Sequence, residues 1–502
     1  MGRGHVIVIG GGNAGLCSAL AALEGGASVT LLEVATEAER GGNSRFTAGA
    51  MRVAYDGTEA IQQLVPDLGA EQMRKTDFGS YPTDKFFDDL SRVTEHRCDP
   101  DLAELLVTRS FDTLTWMRDK GVRFLPIYGR QAFEVNGRFR FWGGLTIEAN
   151  GGGEGLVGYL FDAFEKAGGQ VLYGHRAVGL TESHGAVTGV VVRVNGELQT
   201  LPADAVVLAA GGFQANTEWR TRYLGAGWEF AKVRGSRFNI GDGIRMAFDI
   251  GAMSWGHWSG CHAVGMDLNA PPHGDLAIGD GYQKHSYPFG LMVNGHGRRF
   301  VDEGADFRNY TYAKYGREIL YQPAQFAWQV FDSKVTGLLR DEYRIRQVTK
   351  VTADTLEDLA RRMDGVDPQQ FVATVHEYND TVDQSVEFNP NIKDGRGTRG
   401  LTIPKSNWAN TIDTPPYEAY GITCGITFTF GGLKIDAGAR VLDTMDRPIP
   451  GLYACGELVG GIFYFNYPGG SGLTAGAVFG RIAGTSAAED HAVTRAALAK
   501  GA

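Results

Sequence analysis

Cysteine is scarce in this chain and forms no recognisable motif. There are five cysteines in 502 residues, at positions 17, 98, 261, 424 and 455. An odd number without Cys-x-x-Cys or Cys-x-x-Cys-His spacing argues against a disulfide framework, an iron–sulfur cluster, structural zinc or covalent haem within the chain. We therefore expect reduced thiols and a cytoplasmic location.

Long apolar runs and excess basic charge are also missing. No uninterrupted apolar run reaches the roughly 18 residues that a transmembrane helix needs, so no direct membrane span is predicted. The first apolar run starts at Val6 and leads directly into a glycine loop, which is not the pattern of a signal peptide. The formal net charge of −10 disfavours nucleic acid and anionic membranes as partners.

Glycine, in contrast, is abundant. The chain has 71 glycines, about twice the average share, and they cluster in short runs, as expected where backbone passes close to a ligand. The length of 502 residues is far above the size at which one hydrophobic core divides, so two domains are expected.

Residues 6–33, "VIVIGGGNAGLCSALAALEGGASVTLLE", have the pattern of a dinucleotide-binding unit. A buried strand leads into a Gly-x-Gly-x-x-Gly turn, a helix of small residues and a second strand that ends in an acid. The glycines let the backbone approach a pyrophosphate at the helix N-terminus, and the acid accepts hydrogen bonds from a ribose. The predicted contacts are Gly10, Gly12, Asn13, Ala14, Gly15 and Glu33.

Three later segments favour FAD over NAD. They are "RGGNSRFTAG" (40–49), "ADAVVLAAGGF" (203–213) and the pair 450–457 and 469–484 near the C-terminus. The last helix could place its positive N-terminal end at the pyrimidine edge of a reduced flavin. No second complete glycine–acid unit is present, so electrons must pass to or from another agent. The other predicted cofactor contacts are Gly42, Asn43, Ser44, Val178, Ala210, Gly211, Gly212, Asp242, Glu457, Gly472 and Leu473.

These motifs, with "GHWSGCHAV", "QKHSYPFGLMVNGHGRRFVDEGADFRNYTYAKYGREI" and "YFNYPGGSGLTAGAVFGRIAG", carry a resemblance over essentially the whole chain. The chain resembles the flavoprotein family of fumarate reductase, succinate dehydrogenase and ketosteroid dehydrogenase, and within it the tricarballylate dehydrogenases most closely. The resemblance implies an α/β fold: a discontinuous Rossmann-like FAD-binding domain (1–249 and 411–502) with an inserted α+β capping domain (250–410). The substrate is then expected between cap and flavin.

The resemblance also implies a reaction and a candidate for proton transfer. A hydride moves between a substrate carbon and flavin N5, and a proton moves between the neighbouring carbon and the protein, next to a carboxylate or carbonyl. Arg308 follows "RFVDE" close to where fumarate reductases carry their proton-transfer arginine. Asp302, Glu303 and Asp306 are expected to hold it. Arg308 is alternatively a clamp for a substrate carboxylate, or a structural ion-pair partner.

The chain departs from the family at three informative positions. Asn43 stands where members with covalent flavin carry histidine, so non-covalent FAD is expected. Phe428 and Tyr467 stand where fumarate reductases carry a histidine and an arginine that anchor carboxylates. Fumarate itself is therefore not the expected substrate.

Other polar groups are candidates to replace those anchors. His257 and His262 lie in "GHWSGCH", with Ser259 between them, and His285 lies in "QKHSY" beside Lys284, Ser286 and Tyr287. Such groups suit a multiply charged carboxylate. Hydrogen-bonded cap residues are the alternative interpretation for each histidine. A metal site is not predicted, because no Asp or Glu stands at ligand spacing beside them.

Tyr467 supports a second hypothesis about the substrate. In ketosteroid dehydrogenases a tyrosine hydroxyl and a backbone N–H polarise the substrate ketone, and "YPGGSG" (467–472) resembles that motif, with Gly472 as the backbone donor. The favoured function is α,β-dehydrogenation of a polycarboxylate, or the reverse reduction. The alternatives are a desaturase of a cyclic ketone or keto-acid and a flavoprotein electron-transfer subunit. A separate electron acceptor, such as a quinone or an iron–sulfur membrane protein, is expected.

Overall fold

The computed structural model describes residues 4–490, and its elements are numbered here in chain order. The strands are β1 (His5–Ile9), β2 (Ser28–Glu33), β3 (Ala50–Met51), β4 (Thr76–Asp77), β5 (Phe124–Pro126), β6 (Glu134–Val135), β7 (Arg138–Arg140), β8 (Ile147–Ala149), β9 (Gln170–Tyr173), β10 (Arg176–Ser183), β11 (Ala186–Val194), β12 (Glu197–Pro202), β13 (Ala205–Leu208), β14 (Lys232–Val233), β15 (Ser254–Asp267), β16 (Leu291–Asn294), β17 (Phe326–Phe331), β18 (Lys350–Ala353), β19 (Tyr417–Leu433), β20 (Arg440–Leu442) and β21 (Pro448–Ala454). The helices are α1 (Asn13–Glu24), α2 (Gly57–Leu64), α3 (Ala70–Lys75), α4 (Thr83–Val93), α5 (Pro100–Asp119), α6 (Gly152–Lys166), α7 (Thr217–Trp219), α8 (Asp242–Asp249), α9 (Tyr312–Leu320), α10 (Leu356–Arg362), α11 (Pro368–Thr381) and α12 (Ser471–Glu489).

The first large sheet takes strands from both ends of the chain. Its order is β20-β21-β13-β1-β2-β9, and β1 pairs in parallel with both β2 and β13. Parallel strands covered on both faces read as continuous apolar runs, which explains why Val6, Ile7 and Val8 are fully buried. The predicted α/β fold with a Rossmann-like sheet is confirmed.

The turn between β1 and α1 depends on two of its glycines. Gly10 has φ +109°, a conformation that L side chains rarely adopt. At Gly15 a Cβ atom would overlap the Gly10 carbonyl oxygen. The turn can therefore bring α1 tightly against the strand and direct the α1 N-terminus at the space beyond the strand ends.

The second large sheet is antiparallel apart from one edge pairing, and it lies across from the first. Its order is β14-β19-β17-β16, and β15 and β18 also pair with β19. Strand β14 pairs with β19 in parallel. Its strands come from residues 232–433 and so extend beyond both ends of the predicted cap. The division at 250 and 410 stays a prediction, and residues 1–3 and 491–502 of the predicted FAD domain lie outside the described residues.

Three small three-stranded sheets complete the fold: β10-β11-β12, β3-β8-β5 and β4-β7-β6. One continuous hydrophobic core runs from β1 and α1 into β15 and β19. Between residues 4 and 490, no helix is both long and apolar enough to cross a membrane.

Candidate active site

Two connected cavities lie between the two large sheets. One has a volume of about 1200 Å³ and the other about 850 Å³. The residues that they share are Asn13, Ala14, Asn43, Ser44, Gly456 and Glu457. The space therefore suits a long ligand that passes from one cavity into the other.

The smaller cavity, called the nucleotide cavity, holds most of the predicted FAD contacts. It opens at the N-terminus of α1 and at the ends of β1 and β2. The predicted residues that line it are Gly10, Gly12, Asn13, Ala14, Glu33, Gly42, Asn43, Ser44, Ala210, Gly211, Asp242 and Glu457.

Three predicted contacts line neither of the two cavities. Gly15 packs inside the β1–α1 turn, as its overlap with Gly10 shows. Val178 is the extra residue of a β-bulge, where the pairing of β10 with β11 shifts register between residues 177 and 179, and its neighbour Ala177 lines the cavity instead. Gly212 lies behind Glu457, because a Cβ there would overlap the Glu457 carboxylate.

Glu33 is positioned by the backbone around it. Its carboxylate accepts hydrogen bonds from the N–H of Gly11 at 3.1 Å and of Ala35 at 2.9 Å. Burial nevertheless raises the pKa of Glu33 above its usual value. Asp242, on the other side of the cavity, is ion-paired with Arg176 at 2.7 Å.

The nucleotide cavity fits FAD by the space that its glycines leave. Gly12 and Gly42 face each other, and a Cβ atom on Gly42 would lie 3.9 Å from the Gly12 Cα. Side chains at these positions would narrow the nucleotide cavity, which both glycines line. A dinucleotide in this cavity would meet the N-terminus of α1, whose dipole favours a pyrophosphate.

The larger cavity, called the substrate cavity, begins at Glu457 and the first turn of α12. Gly472 and Leu473 line it, and the Asn13 side-chain amide donates to the Leu473 carbonyl at 2.8 Å. Glu457 accepts from the Thr429 N–H at 3.0 Å and from Gln214 at 3.2 Å. Burial raises the pKa of Glu457 to about 7.

Four arginines line the substrate cavity: Arg130, Arg234, Arg308 and Arg340. Sequence reasoning identified only Arg308. The other three stand in separate segments, "YGRQAF", "KVRGSRF" and "LLRDEYR". None of these segments belongs to the motifs that indicate FAD binding or the family resemblance. No local pattern could have brought them together, because only the tertiary fold does so.

The arginines differ in their counter-charges. Arg234 donates to Asp280 at 2.9 Å, Arg130 lies 3.5 Å from the same carboxylate, and Arg340 lies 3.2 Å from Glu342. Burial lowers the pKa of Arg340 to about 9. Each of these three arginines therefore has a carboxylate of the protein within ion-pair distance.

Arg308 has no such counter-charge. It is 8% exposed, and within residues 4–490 its guanidinium forms no ion pair and no hydrogen bond. Its guanidinium carbon lies over the Tyr312 ring, 5.1 Å from the ring centroid. Burial lowers the pKa of Arg308 below its usual value. A buried guanidinium without a carboxylate partner favours an anionic ligand beside it.

The expected support for Arg308 from nearby carboxylates was wrong. Asp302 accepts from the Ser406 N–H at 3.0 Å, and Asp306 pairs with Arg92 at 2.9 Å. Glu303 accepts from the Nε of Arg299 at 3.1 Å. Each carboxylate thus stabilises the loops around the short 3₁₀ turn Arg308–Tyr310 and leaves the Arg308 guanidinium free.

Tyr467 and Phe428 line the substrate cavity, as expected from the family's anchor positions. Tyr467 is buried, and its hydroxyl is hydrogen-bonded to that of Tyr312 on α9. Burial raises the pKa of Tyr467 well above its usual value. The two hydroxyl groups are therefore neutral. One O–H forms the hydrogen bond between them, so the pair can donate one further hydrogen bond.

The three predicted histidines occupy different places. His285 is buried and lines the substrate cavity. His262, fully buried on β15, packs behind the wall against the rings of Tyr312, Phe428 and Tyr467. Burial lowers the pKa of His262 well below its usual value, so it is a neutral packing residue.

His257 lies away from both cavities. A bulge shifts the pairing of β15 with β19 between His257 and Cys261, which moves His257 to a different part of the strand from His262. Its Nδ1 accepts from the Phe465 N–H at 3.0 Å, and its ring stacks on Tyr464. A catalytic role for His257 therefore has no support from the structure.

The polar neighbours of His285 have structural partners. Lys284 is fully buried, 3.6 Å from Asp267, and Ser259 is exposed. The Ser286 N–H donates to the Tyr343 hydroxyl at 2.8 Å, and the hydroxyl groups of Tyr287 and Thr311 are 2.6 Å apart. These contacts hold the loop that carries His285.

Comparisons with known proteins agree with this geometry. A family model described as FAD binding domain matches residues 5–473. A probable fumarate reductase of Shewanella frigidimarina is 31% identical over 98% of this chain and 76% of its own length. The chain belongs to the fumarate reductase family of FAD-binding proteins. FAD is its cofactor, and it is an FAD-dependent oxidoreductase that acts on CH–CH groups.

Two further relatives show how the family varies. A solved flavocytochrome c3 fumarate reductase in an open conformation is 26% identical, with a TM-score of 0.71, and the match covers 97% of this chain and 78% of that one. A 4-oxocyclohexanecarboxylate 2-dehydrogenase of Sinomonas cyclohexanicum is 26% identical over 99% of this chain and 95% of its own length. Family membership alone therefore does not fix the substrate.

Proposed function

We propose that this flavoprotein dehydrogenates a small polycarboxylate of the tricarballylate type to its α,β-unsaturated form, or catalyses the reverse reduction. The observation that carries the proposal is the arginine set of the substrate cavity, in which Arg308 lacks a counter-charge of its own. An anion with several carboxylates would supply that charge and could compete with Asp280 and Glu342 for the other guanidinium groups.

The reaction removes a hydride from one substrate carbon and a proton from its neighbour. FAD, when bound, supplies the two-electron acceptor for the hydride. Arg308 exchanges the proton: its guanidinium donates in the reducing direction, and its neutral form accepts in the oxidising direction. Burial helps by lowering the pKa of Arg308, because the neutral form of an ordinary arginine is otherwise very costly.

The other cavity arginines orient the substrate. Arg130 and Arg234 share the Asp280 carboxylate and face the same space as Arg308. A planar guanidinium binds a carboxylate in a bidentate manner, which fixes direction as well as position. Carboxylates held in this way would place the CH–CH unit between Arg308 and the flavin site at the α12 N-terminus.

FAD is proposed to be held without a covalent bond. The Asn43 side chain, which lies at the junction of the cavities, donates to the Thr427 carbonyl at 2.8 Å and accepts from the Ser236 N–H at 2.8 Å. An amide with these partners has no nucleophile to offer a flavin methyl group. Acid precipitation should release all the flavin into the supernatant; flavin retained on the precipitated protein would contradict the proposal.

The electron acceptor and the location are further parts of the proposal. This sequence contains no second complete glycine–acid unit for a nicotinamide cofactor, and a quinone or an iron–sulfur membrane protein is therefore proposed to exchange electrons with the flavin. We propose a cytoplasmic location, in keeping with the five unpaired thiols.

A substrate panel tests the proposal. The wild-type holoenzyme is mixed anaerobically with tricarballylate, succinate and 4-oxocyclohexanecarboxylate, and loss of the oxidised-flavin absorbance is followed. Bleaching by tricarballylate, with succinate slower, would support it. The unsaturated product is then identified by chromatography. Bleaching by the keto-acid alone would overturn the polycarboxylate assignment.

One observation favours the keto-acid as the second candidate. The paired hydroxyl groups of Tyr312 and Tyr467 line the substrate cavity beside Gly472, and a phenol can donate to a developing enolate oxygen. Under this alternative Tyr467→Phe would abolish bleaching by the keto-acid. Under the favoured proposal the same variant would retain most of the reaction with tricarballylate.

A further inference from the structure

His285 and Arg340 form a buried contact at the edge of the substrate cavity. The Nδ1 atom of His285 lies 3.3 Å from a terminal nitrogen of Arg340, and both side chains line the cavity. The Nε2 atom of His285 is buried and has no hydrogen-bond partner in the part of the chain that the structure describes. Nδ1 therefore has a polar partner, whereas Nε2 has none among the described residues.

The contact with Arg340 determines which ring nitrogen carries the proton. A guanidinium has five N–H donors and no acceptor, so Nδ1 of His285 must accept the hydrogen bond and cannot carry a proton. A neutral imidazole then has its one proton on Nε2. Burial, with Arg308, Arg340 and Arg234 nearby, lowers the pKa of His285 well below its usual value, which excludes the imidazolium at neutral pH.

We propose that Arg340 locks His285 in the Nε2–H tautomer, so that His285 is a neutral hydrogen-bond donor to an oxygen of the substrate and Arg340 is a positioning residue. The identity of that oxygen rests on the proposed function: it belongs to the carboxylate, or in the keto-acid alternative the carbonyl, beside the carbon that loses its proton. A neutral donor stabilises the charge that develops on this oxygen in the transition state.

The surrounding contacts keep this donor in place. The backbone N–H of Arg340 donates to the Ser286 hydroxyl at 3.2 Å, and the His285 ring packs edge-on against Tyr312 at 5.0 Å. This hydrogen bond joins the segment that carries Arg340 to the segment that carries His285. Any substrate oxygen next to Nε2 meets a donor that cannot rotate or change tautomer freely.

Two amide variants separate the two ring nitrogens. The side-chain amide of Gln reaches the position of Nε2, so His285→Gln keeps a donor at that position. The shorter His285→Asn places its amide near Nδ1 and keeps only the acceptor for Arg340. We expect the rate of flavin bleaching by the best substrate to fall less than about 10-fold in H285Q and on the order of 10²-fold in H285N. Equal losses in the two variants, at equal FAD content, would overturn the proposal.

A double-mutant cycle tests the role of Arg340. Arg340→Met should lower the rate by about 10-fold or more when His285 is present, but by less than about 3-fold in the H285Q background, since an amide has no tautomer to fix. The same cost in both backgrounds would mean that Arg340 acts on the substrate directly or supports the fold, and would refute its role through His285.

The tautomer can also be measured without any substrate. The protein has 11 histidines, and the ¹⁵N resonances of His285 are those that disappear in H285N. We expect an unprotonated Nδ1 and a protonated Nε2 in the wild-type holoenzyme, and a mixture of tautomers in R340M. Protonated Nδ1 in the wild type would overturn the inference. Because this readout needs no turnover, it remains decisive even if none of the three panel compounds reduces the flavin.

Discussion

At the scale of single residues, Arg308 differs from the other arginines of the substrate cavity because it forms no ion pair with a described carboxylate. Arg234 and Arg340 have carboxylates within ion-pairing distance, whereas Arg308 is buried, forms no ion pair with any residue from 4 to 490 and lies over the Tyr312 ring. Leaving a charge in this state costs folding free energy. Such a cost is typical of a group whose partner is the ligand.

Glu457 provides a prediction about pH. Burial raises its pKa from 4.5 to about 7, so the folded protein binds a proton more tightly than the unfolded chain does. Its contribution to stability is present below pH ~4.5 and is lost as pH rises through about 7. We expect wild type to lose up to about 3 kcal/mol more of its free energy of unfolding between pH 5 and pH 8 than Glu457→Gln does.

Urea unfolding of the two proteins, at equal FAD concentration, measures this difference. The neutral amide of the variant removes the titration and nearly conserves the volume of the side chain. Parallel stability curves for E457Q and wild type would show that Glu457 titrates normally in the folded protein.

At the scale of elements, the flavin site depends on close packing between α1 and α12, which come from opposite ends of the chain. Small residues make the approach possible: a Cβ on Gly480 would overlap the Ala14 carbonyl oxygen, and one on Gly484 the Ser18 carbonyl oxygen. This contact sets where the α12 N-terminus meets the cavity.

The prediction for these helices is a loss of stability from one methyl group. We expect Gly484→Ala to lower the free energy of unfolding by about 1–3 kcal/mol through overpacking, and to weaken FAD retention because α12 shifts. Gly158→Ala is the matched control, since that helical glycine of α6 has no atom within 4 Å of its Cβ position. The control should be stabilised by up to about 1 kcal/mol. Thermal unfolding and flavin content compare the two; similar effects in both would disprove the packing account.

The β1–α1–β2 unit could be predicted from sequence because every signal in it is local. Buried strand, glycine turn, helix and terminal acid follow one another in 28 residues, 6–33, and most of the predicted contacts line the nucleotide cavity. The prediction of Val178 was off by one position, because a β-bulge places its neighbour Ala177 at the cavity instead. The same kind of irregularity in β15 separates His257 from His262, and a bulge leaves no sequence signature in these segments.

At the scale of the whole molecule, the arginine set could not be predicted, because its members come from distant segments. Arg130 lies in a loop before β6, Arg234 follows β14, and Arg340 precedes a short turn that carries Glu342. Only the closure of the second sheet over the first brings them to one cavity. The motif around Arg308 identified one of the four through family resemblance, and its neighbouring carboxylates suggested ion pairs that the fold does not form.

Arg308, buried and unpaired among the described residues, is proposed to serve a C–C redox reaction on a polycarboxylate. Stopped-flow flavin bleaching by tricarballylate, with wild type, Arg308→Lys and Arg308→Gln, tests this proposal most directly. The exposed, ion-paired Arg399 supplies the control variant Arg399→Gln, which should match wild type.

We expect rapid, saturable bleaching of wild type. In R308Q the rate should fall on the order of 10³-fold, and in R308K most of the affinity should return without the rate, because a lysine restores the charge but not the position of the proton-exchanging nitrogen. Wild-type rates in R308Q would contradict the account.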